Sequence, residues 1–195
     1  MTARALVAVA LTLIVGPALA HPPPLGIPGF AGGLLHPFFV PAHVLAVAGL
    51  GLLIGVQAPH WGRAGPFVYI AALAAGLGLM TLGIVPRWMG EGLLVSAIAT
   101  GTLVALGRPL PEVVGIVIAA GTALAIALDS PPEVVSLREA NLMLIGTGFG
   151  ATLFLVAAVE IASRLKRPWL RVGARVLGSW IASGAILSLA LQVAR

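Results

Sequence analysis

Two histidines, His36 and His43, lie where the first long apolar stretch of the chain begins. Imidazole nitrogen suits nickel, copper and zinc, and ionisable residues inside an apolar stretch are functional candidates by default. In a regular helix, this spacing returns to nearly the same face but separates the two side chains by about 10.5 Å along the axis. Two imidazole nitrogens that bind one ion must instead lie within ~4 Å of each other.

The prolines of this segment bear on how the two histidines are arranged. Pro41 has no N–H and biases Val40 towards extended backbone, so it interrupts regular helix between His36 and His43. A broken or re-entrant segment would let both rings hold one ion, whereas a continuous helix would make them successive stations on one path. Both arrangements remain open from the sequence, and Pro41 favours the shared ion.

A buried dication beside two neutral imidazoles needs a compensating negative charge. Glu91, at the outer end of the third apolar stretch, and Glu139, before the fifth, are the acids expected on the same side as His36. For both acids, the alternative is a solvated position at the membrane interface. His21 is a further candidate, because its imidazole and a freed α-amino group could chelate a metal if the chain were cleaved just before it.

The composition indicates that these residues are carried by a membrane protein. Hydrophobic residues make up 59% of the chain and charged residues 9%, and the mean hydropathy is +1.10. A soluble protein has about 25% charged residues. Six apolar stretches, each near the ~20 residues that span a bilayer, predict six transmembrane helices: Gly33–Val56, Pro66–Val85, Gly90–Leu106, Pro111–Leu128, Ala140–Ile161 and Val172–Ala194.

Residues 1–20 have the pattern of a signal peptide, with Arg4, an apolar core and Ala18-Leu19-Ala20 as the cleavage site. The alternative is an uncleaved first helix, which would leave the other spans oriented the same way. We therefore expect an all-α bundle of six transmembrane helices, one domain over residues 21–195, with the mature N-terminus outside the inner membrane. The positive-inside rule agrees: seven basic residues fall in inside loops (Arg63, Arg108, Arg164, Lys166, Arg167, Arg171, Arg175) and three outside (Arg87, Arg138, Arg195).

Small residues recur at four-residue spacing, which predicts close approach of helix backbones. The pairs are Gly29/Gly33, Gly51/Gly55, Gly146/Gly150 and Ser179/Ser183.

Several classes of protein are excluded or disfavoured. The basic residues are mostly single and lie between apolar stretches, so the net charge of +5 describes topology and no nucleic-acid partner is expected. The absence of Cys excludes disulfides and thiolate metal sites. We expect no enzyme, because no serine has a general base and oxyanion hole indicated by a motif.

The pattern of signal peptide, His21, a Gly-rich approach and His36-Pro37 followed by His43 resembles the HupE/UreJ family. The resemblance implies a permease for nickel or cobalt that supports urease or hydrogenase maturation, with metal handling at His36 and His43 and cytoplasmic maturation proteins as partners. Ala42 and Val47 stand where the family commonly has Asp and Met. No prosthetic group is implied, since Ni²⁺ or Co²⁺ would be cargo. The alternative is a non-transporting membrane accessory or scaffold protein with structural histidines.

Overall fold

The structure is a computed structural model that describes residues 27–61, 64–84, 86–132 and 136–194, without the side chains of residues 59 and 60. This part of the chain is helical and contains no strand, which confirms the predicted all-α class. Seven helices follow one another: α1 (Gly29–Phe39), α2 (Pro41–Trp61), α3 (Ala64–Thr81), α4 (Met89–Leu106), α5 (Glu112–Leu128), α6 (Leu137–Ser163) and α7 (Pro168–Val193). The predicted signal peptide, residues 1–20, lies outside the described residues.

Five of the described helices, α2, α3, α4, α6 and α7, are long and apolar enough to cross a membrane. Helix α5 is equally apolar but has 17 residues, which corresponds to about 25 Å against a hydrocarbon core of ~30 Å. The chain is therefore a multi-pass membrane protein, and the predicted total of six spans stays a prediction.

The predicted first span, Gly33–Val56, is divided between two helices. Helix α1 passes through Pro37 and ends at Phe39, and α2 begins at Pro41. Val40 between them has φ −89° and ψ 113°, the extended geometry expected before a proline. The predicted interruption of the helix is confirmed, and it occurs at one residue.

Glycines let α6 approach its neighbours closely. A Cβ atom at Gly146 or Gly150 would overlap the carbonyl oxygens of Phe30 and Leu34 in α1, and one at Gly33 would overlap that of Met143 in α6. On the other side of α6, Gly51 and Gly55 of α2 face Ala158 and Ala162. The small-residue spacing thus places α6 against both α1 and α2.

The predicted contact through Ser179 and Ser183 is wrong. Both serines are exposed, and α7 instead approaches α4 through Gly178, whose added Cβ would lie 2.7 Å from the carbonyl oxygen of Gly101. Gly29 likewise has no neighbour within 4 Å of an added Cβ and adopts φ +66° just after the start of the described chain. Helices that are apolar on every side give no amphipathic pattern from which the packed face could be inferred.

Helix α2 is the central element of the bundle. Of its window Pro41–Ala58, 61% is buried, against 17–39% in the other candidate spans. It packs mainly on α6 and α4 and also contacts α5, α7 and α1. A side chain near the start of α2 is therefore shielded from lipid by several helices.

Candidate metal site

The break at Val40 brings the two histidines together. The N–H of Val44 donates to the carbonyl of Val40 at 3.0 Å, so α2 begins its own hydrogen-bonded turn at this point. His36, in the last turn of α1, and His43, in the first turn of α2, have ring centroids 5.1 Å apart with planes at 78°. In a regular helix the two residues would be about 10.5 Å apart along the axis, whereas at this break their ring centroids are 5.1 Å apart.

His43 is fully buried and hydrogen-bonds to a carboxylate from another helix. Its Nε2 lies 3.1 Å from Oδ2 of Asp129, whose side chain is 15% exposed. An ionised carboxylate only accepts hydrogen bonds, so Nε2 is the donor in this contact, and the tautomer that donates from Nε2 has its lone pair on Nδ1. Within the described part of the chain this buried Nδ1 has no hydrogen-bond partner. The lone pair of His43 is therefore available to a proton or a metal ion.

Asp129 is held between two helix ends of opposite polarity. It is the C-cap of α5, and its N–H donates to the carbonyl of Ala125 at 2.9 Å. Its Oδ1 would lie 3.3 Å from a Cβ added to Gly90, so the carboxylate lies against the first turn of α4. The N-terminus of α4 favours a negative charge, which offsets the unfavourable C-terminus of α5.

The structure does not place the two predicted acids beside His43. Glu91 is exposed in the first turn of α4, and Glu139 is exposed in the first turn of α6. The backbone N–H of Glu139 donates to the hydroxyl oxygen of Ser136 at 3.2 Å, so Ser136 caps the N-terminus of α6. In the described part of the chain neither carboxylate forms a hydrogen bond or ion pair with His43. His21 lies outside the described residues.

Asp129 is not among the acids that the sequence analysis selected. It follows the apolar stretch that ends at Leu128 directly, at the end of the bundle where His43 also lies. This position at the end of an apolar stretch was the feature of the sequence that could have identified Asp129 as a candidate. Asp129 contacts His43, the residue that follows Ala42, from 86 positions away in sequence.

The arrangement brings together the imidazoles of His36 and His43, and the carboxylate of Asp129 is hydrogen-bonded to His43. A carboxylate that accepts from the second nitrogen of a ligating histidine fixes its tautomer and raises its basicity. Among the described residues no three His, Asp or Glu side chains form a group that could hold a metal ion. The described residues therefore do not provide the roughly four protein ligands of a closed structural metal site.

Comparison with known proteins identifies the chain's relatives at the level of the family. The family described as HupE / UreJ protein matches residues 9–188, which is nearly the whole chain. No curated protein and no solved structure matches it. The family match covers both histidines, the helix break between them and Asp129. On this match, the chain belongs to the HupE/UreJ family.

Proposed function

We propose that the chain is an inner-membrane permease for a transition-metal cation, with nickel as the preferred ion, that supplies urease or hydrogenase maturation. The observation that carries this proposal is the contact of the His36 and His43 rings, 5.1 Å apart, with Asp129 bonded to His43. Family membership supports the same chemistry, because HupE/UreJ proteins are associated with nickel and cobalt. The metal is cargo in this proposal.

In the proposed site the cation binds between the two rings. His43 would bind the cation through Nδ1, since its Nε2 contacts Asp129. His36 would supply the second nitrogen from the last turn of α1. Imidazole nitrogens are borderline donors and suit nickel better than magnesium or calcium, which prefer oxygen.

Asp129 supplies the charge that Ala42 lacks. An isolated dication in a low-dielectric interior is strongly unfavourable, and a carboxylate hydrogen-bonded to the ligand reduces that cost. Because Asp129 lies behind His43, it acts on the cation through the imidazole. The residual exposure of Asp129, 15%, supports access from the adjacent membrane surface.

Passage beyond the histidines requires movement of α2 or its neighbours. Val47 and Leu50 follow His43 on the same face of α2, one and two turns further on, and both are fully buried. These two side chains offer a cation no polar group on this face of α2, which supports a closed state with the proposed metal site at one end. No Walker A motif occurs in the sequence. An ion gradient or capture of the metal by cytoplasmic proteins would therefore drive transport.

A membrane accessory or scaffold protein is the second candidate. Its support is that the contact between His43 and Asp129 also satisfies a buried histidine as an ordinary interhelical hydrogen bond. In that case the two histidines would stabilise the junction of α1 and α2 without any passage of metal.

Accumulation of radioactive nickel and cobalt in cells that lack their own importer tests the proposal. Cells expressing the chain should accumulate metal above cells with an empty vector, and the double variant His36→Ala/His43→Ala should not. Phe39→Ala is the matched control, because it alters the same segment at a side chain that is 53% exposed. Equal accumulation in the double variant and the parent, at equal membrane abundance, would favour the scaffold.

A further inference from the structure

A second polar feature lies at the other end of the bundle. A cavity of about 540 Å³ opens between α2, α4, α6 and α7, and four of its lining side chains are cationic: Arg108, Lys166, Arg171 and Arg175. It includes Gln57, fourteen residues beyond His43 on α2, which corresponds to about 21 Å along that helix. This cavity is therefore separate from the histidine site.

The charge of the cavity is of one sign. Among the residues that the structure describes, no Asp or Glu lines the cavity and none of the four cations forms an ion pair with a carboxylate. The nearby acid Glu160 is bonded to Arg164, which does not line the cavity. A concave surface lined by one sign of charge concentrates the field and attracts counter-ions. The same field repels a dication, so the cavity does not suit the free metal.

Hydrogen bonds to backbone hold the walls of the cavity in place. Buried Gln57 donates from Nε2 to the carbonyl of Arg108 at 2.7 Å, which ties the loop after α4 to α2. Arg175 donates from Nε to the carbonyl of Ala105 at 2.8 Å, so its guanidinium is fixed at the end of α4. That bond uses one of the five N–H donors of the guanidinium, and the terminal NH₂ groups can still form a fork suited to phosphate.

The position of the cavity is that of a membrane interface. Helices α6 and α7 both border the cavity. Helix α6 packs on α1 and α2, whereas α7 packs chiefly on α4. Trp169, in the first turn of α7, is 65% exposed at the same end of the bundle. Tryptophan at this position is typical of the headgroup region, and basic pockets between transmembrane helices bind lipid phosphates.

We propose that this cavity is a binding site for an anionic phosphate group, carried by a lipid headgroup or by a free phosphate. Lys166 binds it from the turn between α6 and α7, Arg171 binds it from the first turn of α7, and Arg175 binds it from its position at the end of α4. The volume of about 540 Å³ leaves room for the glycerol part of a headgroup beside the phosphate. This site is independent of metal transport and does not rest on it.

Two double variants of the full-length protein separate this site from general surface charge. Lys166→Gln/Arg171→Gln removes two charges that line the cavity, whereas Arg164→Gln/Arg167→Gln removes two charges from the same turn outside the cavity. Both lower the net charge equally. The probes are phosphatidylglycerol, zwitterionic phosphatidylcholine and inorganic phosphate. Native mass spectrometry measures how much of each lipid the protein retains. The shift of the melting temperature in detergent measures binding of inorganic phosphate.

Parent and control should retain phosphatidylglycerol in preference to phosphatidylcholine, and the cavity variant should bind it more weakly by on the order of 10-fold or more. Stabilisation by inorganic phosphate with the same dependence on the cavity residues would identify free phosphate as a source. Equal weakening in both double variants, or no binding of either probe by the parent, would overturn the proposal. If the cavity variant fails to fold, Lys166→Gln and Arg171→Gln are compared singly with Arg167→Gln, by the same measurements and criteria.

Discussion

Asp129, the C-cap of α5, and His43 of α2 are joined by a contact of 3.1 Å between Oδ2 and Nε2, inside a bundle that buries His43 completely. The contact orients the imidazole so that Nδ1 is directed away from the carboxylate, on the other side of the ring. It also couples α2 to the junction of α5 with the following loop. The chemistry of His36 and His43 therefore depends on a residue from another part of the chain.

Replacement of Asp129 by Asn should lower nickel uptake by about 10-fold or more at subsaturating metal, since loss of a ligand's carboxylate partner costs 10–100-fold in metal affinity. Asn keeps the shape of the side chain but removes its charge and no longer selects one tautomer of His43. Uptake of radioactive nickel at equal membrane abundance is the measurement.

Glu91→Gln and Glu139→Gln are the controls for that experiment, because each removes an exposed carboxylate that does not contact His43. We expect both to transport at nearly the parental rate. A large loss in either control, with Asp129→Asn unaffected, would return the charge-balancing role to the acids that the sequence first indicated.

The all-α class and several helix ends were predictable, because apolar stretches end at residues that helices or bilayers disfavour. The predicted stretch Pro111–Leu128 became α5, Glu112–Leu128, and Gly90–Leu106 became α4, Met89–Leu106. The break before Pro41 was predictable for the same reason, since proline restricts the residue that precedes it. These signals depend only on neighbouring residues in the sequence, so they can be recognised without knowing which helices pack together.

The contact of Asp129 with His43 was not predictable because it depends on the order in which helices pack. Sequence places Asp129 only at the end of a span, while the neighbours of α2 are decided by close approaches such as that of Gly51 to Ala158. Ser179 shows the same limit: it has the right spacing for packing but lies on the exposed face, next to Gly178, which does pack.

The topology should place the loop before α6 outside and the turn before α7 in the cytoplasm. The chain has no Cys, so Ser136→Cys and Trp169→Cys each introduce one thiol at an exposed position. An impermeant maleimide added to intact spheroplasts should label Ser136→Cys, and Trp169→Cys only after permeabilisation. The reverse pattern would contradict the positive-inside assignment.

N-terminal sequencing of the protein from the same membranes should give His21 as the first residue.

Packing of α1 on α6 should be sensitive to a single methyl group. Gly150→Ala would overlap the carbonyl of Leu34, and overpacking of this kind costs about 1–3 kcal/mol. We expect a lower melting temperature in detergent and reduced uptake, because α1 carries His36. Gly121→Ala in α5 is the matched control, since nothing lies within 4 Å of its added Cβ. A control that loses as much stability as Gly150→Ala would contradict steric overlap with α1 as the cause of the loss.

His36 and His43 should behave as one unit. If both rings hold the same ion, His36→Ala and His43→Ala should each abolish nickel uptake about as fully as the double variant, because either substitution leaves a single nitrogen donor. Successive stations would instead give partial losses that add approximately in free energy. The ring separation of 5.1 Å favours the shared ion. The measurement is a double-mutant cycle. It compares the uptake rates of the parent, both single variants and the double variant, each normalised to membrane abundance. Two partial losses whose product equals that of the double variant would show independent stations, although both rings lie at the same break in the helix.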